Sequence, residues 1–193
     1  MHKSTRVLVA GLLALAACGP GDTARVRPNP ANQKPAYFNL LALLNEQSTL
    51  LNRRQPSVEK QVLLRDGNQE ITRVPKTDWE KELQIFQQAD INKPALRGLY
   101  AVDSATLTSG AVRRTYRRLP GTDHPVEQLT VVSQGTKVQT ITANVAQDNP
   151  LVYSAKTLEM SYRQGQLAIY RVTGVQKLIL FDSVRYAVQA KVQ

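Results

Sequence analysis

The spacing of apolar side chains predicts two helices at the start of the region that follows residue 35. From Tyr37 to Arg54 these side chains recur at helical spacing, and Pro56 ends the pattern. Thr77 and Glu80 match a capping box, which marks the start of a second helix. The apolar face of this second helix is predicted to hold Trp79, Leu83 and Phe86.

A β-hairpin is predicted between the two helices, and a long run of strands after them. Val58–Arg65 and Glu70–Val74 flank Asp66-Gly67-Asn68, a turn sequence in which glycine allows a positive φ. From residue 99 onward the apolar pattern has a period of two, which is typical of strands. The strands predicted there are Leu99–Thr106, Ala111–Leu119, Val126–Ser133, Lys137–Val145, Leu151–Arg163, Gln166–Val175 and Leu178–Val192.

Short turns between these strands make consecutive antiparallel pairing the expectation. Gly174 is predicted to mark a bulge or bend, because only Gln176-Lys177 separates the last two strands. We therefore predict an α+β fold: two N-terminal helices and a hairpin packed on a long, curved antiparallel β-meander that is half-barrel-like. The helices are expected to cover the concave face of the meander.

The first eighteen residues have the pattern of a bacterial lipoprotein signal peptide. Basic residues precede Val7–Ala17, an apolar run of eleven residues that is too short to cross a hydrocarbon core of about 30 Å as a helix. Leu15-Ala16-Ala17-Cys18 resembles a lipobox, in which cleavage leaves an acylated cysteine as the first residue. We predict removal of residues 1–17 and lipid attachment to Cys18, the only cysteine of the chain. The alternative is an ordinary secretory signal.

Residues 18–35 are predicted to be the lipidated cysteine and a flexible tether. Their sequence is rich in Gly, Pro and Asn, and such a composition cannot bury enough apolar surface to offset the entropy of ordering. Residues 36–193 are then long enough for a single α+β domain with its own core. Because Asp22 is the only acidic residue near Cys18, we expect a lipid anchor in the outer membrane with the domain facing the periplasm.

The chain is basic, with a net charge of +10, and loss of Lys3 and Arg6 with the signal peptide leaves +8. This charge suits anionic lipid, an anionic polymer or an acidic envelope protein, and nucleic acid is not expected as a partner of an exported protein. The densest basic segment contains Arg113, Arg114, Arg117 and Arg118. Since neither face of this segment is cleanly apolar, we predict an edge strand or one that extends past the core. The alternative is a patch for an anionic partner.

A second motif lies on and after the second predicted helix. Asp78–Leu83, Phe86 and Ala89–Leu96 read DWEKEL, F and ADINKPAL. This motif resembles the signature of a Bacteroidetes outer-membrane or periplasmic lipoprotein family with no assigned function, and the likeness extends loosely over the helix, the hairpin and Gly174–Lys177. The resemblance implies that the protein is located in the cell envelope, and it implies no particular chemistry.

The polar residues of this motif have a structural interpretation. Asp90 and Asn92 are expected to close a turn through hydrogen bonds from side chain to backbone, and Pro94 is expected to end the helix. The alternative is that Asp90, Asn92 and Lys93 form a recognition surface for a partner.

No recognisable catalytic apparatus is present in the sequence. His124 is the only histidine besides His2, so an ordinary zinc site is not expected, and we expect no cofactor. The sequence also lacks a Gly-x-Ser-x-Gly elbow, a phosphate-binding glycine loop and a calcium loop. The enzymatic alternative is a cell-wall glycan hydrolase that uses two of the carboxylates Asp78, Glu80, Glu82 and Asp90.

These observations predict a membrane-anchored envelope lipoprotein that acts as a non-enzymatic binding or interaction module. In one version the concave face of the sheet holds an acyl chain, as in carrier proteins. In the other version the basic surface docks on an envelope protein or an anionic polymer. A carrier requires an apolar hollow that the helices leave unfilled, whereas a filled core with an exposed basic strand favours docking.

Overall fold

A computed structural model describes residues 37–63 and 67–193. Within these residues the fold is an unclosed antiparallel sheet of nine strands with two helices, so the predicted antiparallel sheet is confirmed. The helices are α1 (Leu40–Arg54) and α2 (Trp79–Leu83). The strands are β1 (Val58–Leu63), β2 (Gln69–Val74), β3 (Tyr100–Thr106), β4 (Val112–Arg118), β5 (Val126–Gln134), β6 (Lys137–Asp148), β7 (Val152–Arg163), β8 (Gln166–Leu178) and β9 (Val184–Val192).

The predicted hairpin belongs to the sheet and does not pack on it, which corrects the expected arrangement. The strand order is β2-β1-β9-β8-β7-β6-β5-β4-β3, so the last strand of the chain pairs with the first. Val62 of β1 lies opposite Val188 of β9, and the β1–β2 hairpin thereby adds two strands at one edge. Pairing with β9 satisfies backbone groups of β1 that an isolated hairpin would leave to water.

The second helix is shorter than its apolar pattern predicts. Only Trp79–Leu83 is α-helical; the chain tightens into a 3₁₀ segment at Gln84–Ala89, and a second 3₁₀ segment, Pro94–Leu96, follows. The N-cap is Asp78, whose Oδ1 accepts a hydrogen bond from Lys81 N at 3.3 Å, and not the predicted Thr77. The prediction of two N-terminal helices is therefore only partly correct. The second segment is stabilised more by packing against the sheet than by its own helix formation.

Both helical segments bury their apolar side chains against one face of the sheet. Trp79 and Phe86 are almost fully buried and make edge-to-face contacts with Tyr170 of β8, at centroid distances of 6.4 and 6.0 Å. On α1 the buried positions are Leu40, Leu44, Gln47 and Leu51, which share one side of the helix. This face of the sheet is therefore the core of the molecule, and we call it the helix-covered face.

Two local predictions about the last strands are wrong. Gly174 is paired in regular register with Lys156 and Tyr186 and is not a bulge. Its missing side chain leaves room for the Tyr186 ring, because a Cβ at this position would lie 2.5 Å from the Tyr186 hydroxyl oxygen. The turn between β8 and β9 also begins three residues later than predicted, since β8 continues through Leu178.

Several predictions concern residues outside the described part of the chain. The signal peptide, Cys18 and the segment up to residue 35 all precede residue 37. The described helices include none with the length and apolar character needed to cross a membrane.

Candidate functional site

The face of the sheet opposite the helices is the broadest candidate site. Hydrogen bonds and ring contacts join α2 and the first 3₁₀ segment to Lys60, Lys156 and Tyr170, whose side chains belong to the helix-covered face. In each strand the alternate side chains point the other way. We call this second surface the open face.

One continuous row of directly opposed residues crosses the open face through all nine strands. From β3 to β2 the row contains Asp103, Thr115, Thr130, Thr142, Glu159, Arg171, Gln189, Gln61 and Ile71. Eight of these nine side chains are polar or charged. Arg171 lies 3.6 Å from a carboxylate oxygen of Glu159, and its Nε donates to Gln189 at 3.0 Å. The open face is thus a polar surface with its own cross-strand contacts.

Three adjoining depressions mark the open face. One of about 390 Å³ lies among Asn144, Thr157 and Thr173. A second, of about 260 Å³, shares Thr173 with the first. A third, of about 390 Å³, shares Arg171 and Gln189 with the second. Short side chains beside long arginines produce this relief, which offers hydroxyl, amide and guanidinium groups to a ligand.

The four predicted arginines lie on one strand but on both faces of the sheet. Arg113 and Arg117 lie on either side of the buried Thr115 along the open face. Arg114 and Arg118 point to the helix-covered face. β4 is paired on both sides, with β3 and β5, so the prediction of an edge strand is wrong. Mixed polarity along β4 therefore does not indicate an edge strand, because it comes from the side of the strand that faces solvent.

Asp90 and Asn92 lie inside a hydrogen-bonded turn. Asp90 Oδ1 accepts from Asn92 N at 3.1 Å, as the turn interpretation predicts. Asn92 also donates to the carbonyl oxygens of Tyr37 and Phe38 at 3.1 and 2.8 Å and accepts from Tyr37 N at 2.9 Å. Asn92 therefore fastens the chain that enters α1, and Asp90 closes the turn in which Asn92 lies. Lys93 is exposed and is the residue of the three that is accessible to a partner.

His124 lies in a partly buried polar cluster beside Tyr100, the first residue of β3. The Tyr100 hydroxyl is 2.8 Å from His124 Nδ1 and donates to Val126 O at 2.7 Å. Burial raises the Tyr100 pKa to about 12. Burial, helped by the positive charges of Lys93 and Arg118, lowers the His124 pKa below its usual value, against the weaker opposing effect of Asp90 and Asp123.

The lowered pKa of His124 predicts a pH-dependent stability. Because the folded protein favours the neutral imidazole, the contribution of His124 is complete above the unfolded pKa of about 6.5 and is lost as the pH falls through the lower folded value. We expect the melting temperature to decrease on acidification from pH 7.5 to 5.5. The decrease should be smaller in His124→Gln. Equal decreases in the two proteins would contradict this origin.

Three of the four carboxylates considered for hydrolysis, Asp78, Glu82 and Asp90, have separate structural partners, and Glu80 is exposed on α2. Asp78 caps α2 and is exposed, with Lys81 at 3.1 Å. Glu82 accepts from Lys60 Nζ and from the Tyr170 hydroxyl, both at 2.7 Å, and so joins α2 to β1 and β8. Within residues 37–63 and 67–193, no group of three or more His, Cys, Asp or Glu side chains is placed to hold a metal ion.

The residues of the open face other than Arg113 and Arg117 were missed by the sequence analysis. The strands do carry a signal, because polar side chains alternate along β6, β7 and β8. That alternation identifies a solvent-facing side of each strand. It does not identify which residues of different strands stand next to each other, since this depends on register.

The described residues thus define a structural class: an unclosed antiparallel sheet with one face covered by helices and one face open. Comparison with known proteins adds no identity to this class. No family model, no curated protein and no solved structure matches the chain.

Proposed function

We propose that this protein is a lipid-anchored envelope lipoprotein that acts as a non-enzymatic binding module. The anchor is an acylated Cys18, which attaches the protein to the outer membrane with the domain facing the periplasm. The open face of the sheet binds an anionic partner of the envelope. The observation that carries the proposal is a nine-stranded polar surface with contiguous depressions, on which the helices do not pack.

The charges of the open face support an anionic partner. Arg113, Arg117, Arg171 and Arg185 all belong to this face and are exposed. Glu159 offsets part of this charge, since it lies beside Arg171. Arginine presents several donors in a planar fork, which suits carboxylate and phosphate groups.

The packing of the helix-covered face favours docking over transport of an acyl chain. A carrier needs an apolar hollow beneath its helices, but Trp79, Leu83 and Phe86 are at most 2 % exposed. These three residues line none of the three depressions of the open face and neither of two further depressions elsewhere on the described surface. The separate partners of Asp78, Glu82 and Asp90 likewise give no support to a hydrolase.

The proposal predicts that neutralising the open-face arginines weakens binding. We expect Arg113→Gln with Arg117→Gln to reduce capture of the envelope partner about tenfold at low salt, because each exposed charge contributes up to about 1 kcal/mol. The measurement places a photo-crosslinking residue at Thr142 in the anchored protein. The adduct is then quantified and identified from intact envelopes.

Two controls make this measurement specific. Arg53→Gln with Lys76→Gln removes the same charge from exposed positions outside the open face and should leave the adduct unchanged. A crosslinker at Asn45, on the exposed side of α1, should give no comparable adduct. If the Asn45 position alone forms an adduct, the open face is not the binding surface. An adduct of lipid mass would favour a carrier instead.

A further inference from the structure

One end of the sheet exposes a cluster of large apolar side chains. Leu151 lies in the turn between β6 and β7, and Ile179, Leu180 and Phe181 lie in the loop between β8 and β9. Their side chains are 67, 64, 86 and 68 % exposed, respectively. The two connections are joined, because Ile179 N donates to Leu151 O at 3.1 Å. We call these four residues the apolar tip.

The apolar tip does not belong to the core. None of its four residues is among the buried core or among the side chains packed against it. A hollow of about 560 Å³, lined partly by Leu178, Phe181 and Val184, lies beside the loop. The loop therefore gains little from packing within the described structure. A contiguous exposed apolar patch of this kind marks a contact with a partner or a membrane.

The chain that leads to the predicted anchor enters the fold at the same end of the sheet. Tyr37 contacts the rings of Tyr100 and Tyr116, both at 5.7 Å. Tyr100 begins β3 opposite Arg118, the last residue of β4. Antiparallel pairing places this end of β3 and β4 at the end where β6 stops and β7 starts. The apolar tip is therefore at the Tyr37 end of the sheet.

The length of the segment between Cys18 and Tyr37 favours the bilayer as the partner of the apolar tip. Eighteen residues separate Cys18 from Tyr37, and at full extension they span about 60 Å. A lipid on Cys18 thus keeps the apolar tip within reach of the same membrane. Lys177 and Arg185 flank the loop, Asp182 lies within it and Asp148 ends β6 beside the Leu151 turn, so the local charges cancel. Apolar burial, and not attraction to anionic lipid, is then the driving force.

We propose that the apolar tip inserts into the interfacial layer of the bilayer that holds Cys18. Leu151, Ile179, Leu180 and Phe181 enter the boundary between headgroups and acyl chains, where aromatic and aliphatic side chains are favoured. The protein then has two contacts with its membrane, and its orientation is fixed. This inference rests on the proposed anchor at Cys18, and it is independent of the ligand of the open face.

The test tethers the mature chain, residues 18–193, to vesicles through its single thiol at Cys18. Phosphatidylcholine vesicles contain a maleimide lipid for coupling and bromine-labelled acyl chains that quench tryptophan on contact. In Leu180→Trp we expect the emission of the added tryptophan to shift to shorter wavelength on the vesicles. The same emission should be lost when the acyl chains carry bromine. Trp79 is buried in the core and supplies a constant background. Replacing the neutral vesicles with anionic ones should change the result little.

The matched control is Ile71→Trp, because Ile71 on β2 is 64 % exposed, as Ile179 is. Its emission should show neither the shift nor the quenching. Adding Ile179→Asn and Phe181→Asn to Leu180→Trp should abolish the effect while circular dichroism shows an unchanged fold. Absence of quenching for Leu180→Trp, or equal quenching for Ile71→Trp, overturns the proposal. Neither result bears on acylation of Cys18, which the mass of the mature protein from envelopes tests separately.

Discussion

Trp79→Ala is expected to lower the free energy of unfolding by about 3–5 kcal/mol, the range for removing a fully buried large aromatic side chain. Trp79 is fully buried and contacts the Tyr170 ring edge to face. It also lies at the start of α2, where Trp79 N donates to the Asn52 side chain of α1 at 3.1 Å. The substitution therefore leaves a cavity where α1, α2 and the sheet meet. Urea denaturation followed by circular dichroism measures the loss.

Two further substitutions show whether volume is the cause. Trp79→Phe keeps most of the ring volume and removes an indole N–H that has no hydrogen-bond partner among the described residues. We expect it to cost less than half as much as Trp79→Ala. Leu41→Ala, at an exposed position of α1, should change stability by less than about 1 kcal/mol. A similar loss for all three variants would argue against specific packing of this site.

Gln47→Leu is expected to destabilise the protein by about 2–4 kcal/mol, because it leaves buried backbone groups without hydrogen-bond partners. Gln47 is 1 % exposed. Its Oε1 accepts from Leu167 N at 2.8 Å, and its Nε2 donates to Gly165 O at 3.0 Å. The side chain thus joins α1 to the β7–β8 turn by two hydrogen bonds. Leucine has a similar size but satisfies neither group.

The control for Gln47→Leu is the same kind of change on the exposed side of the helix. Asn45→Leu replaces an exposed amide of α1 and should alter the unfolding free energy by less than about 0.5 kcal/mol. Hydrogen exchange at Leu167 gives an independent readout, since its amide should lose protection in Gln47→Leu before the rest of the sheet does. If Leu167 stays protected, another group replaces the glutamine and the argument fails.

These stability predictions bear on function because they separate the two faces of the sheet. Trp79 and Gln47 act on the helix-covered face, while Arg113 and Arg117 lie on the open face. Removing the latter two charges should alter binding and leave folding almost unchanged. The apolar tip lies at the end of the sheet, so its substitutions should affect neither the core nor the open face. The three regions can therefore be tested one at a time.

Periodicity along the chain predicted most of the individual elements. The alternation after residue 99 gave seven strands, and β3–β9 are all present with ends that shift by at most six residues. The long apolar stripe of α1 likewise predicted a helix, which begins at Leu40 because Asn39 provides the cap. These successes share a cause: burial on one side imposes a period that is visible within a single element.

Predictions that depended on neighbouring elements were less successful. Nothing near Val58 or Gln69 shows that β1 pairs with β9, since the partners are separated by more than a hundred residues. The same is true of β4, which was predicted as an edge strand although β3 covers its outer side. Asp90 and Asn92 close a turn as predicted, but nothing near them in the sequence shows that Asn92 also fastens Tyr37 and Phe38.

The sequence by itself predicts export and lipid attachment. It also determined the positive charge, the helix–strand order and the antiparallel class, because each depends on composition or on contacts within a short stretch. The tertiary structure alone decided which side chains share a face. It divided Arg113 and Arg117 from Arg114 and Arg118, aligned the polar row from Asp103 to Ile71, and brought Leu151 beside Ile179. The physical reason is register, because side chains on different strands become neighbours only through backbone pairing that no single strand encodes.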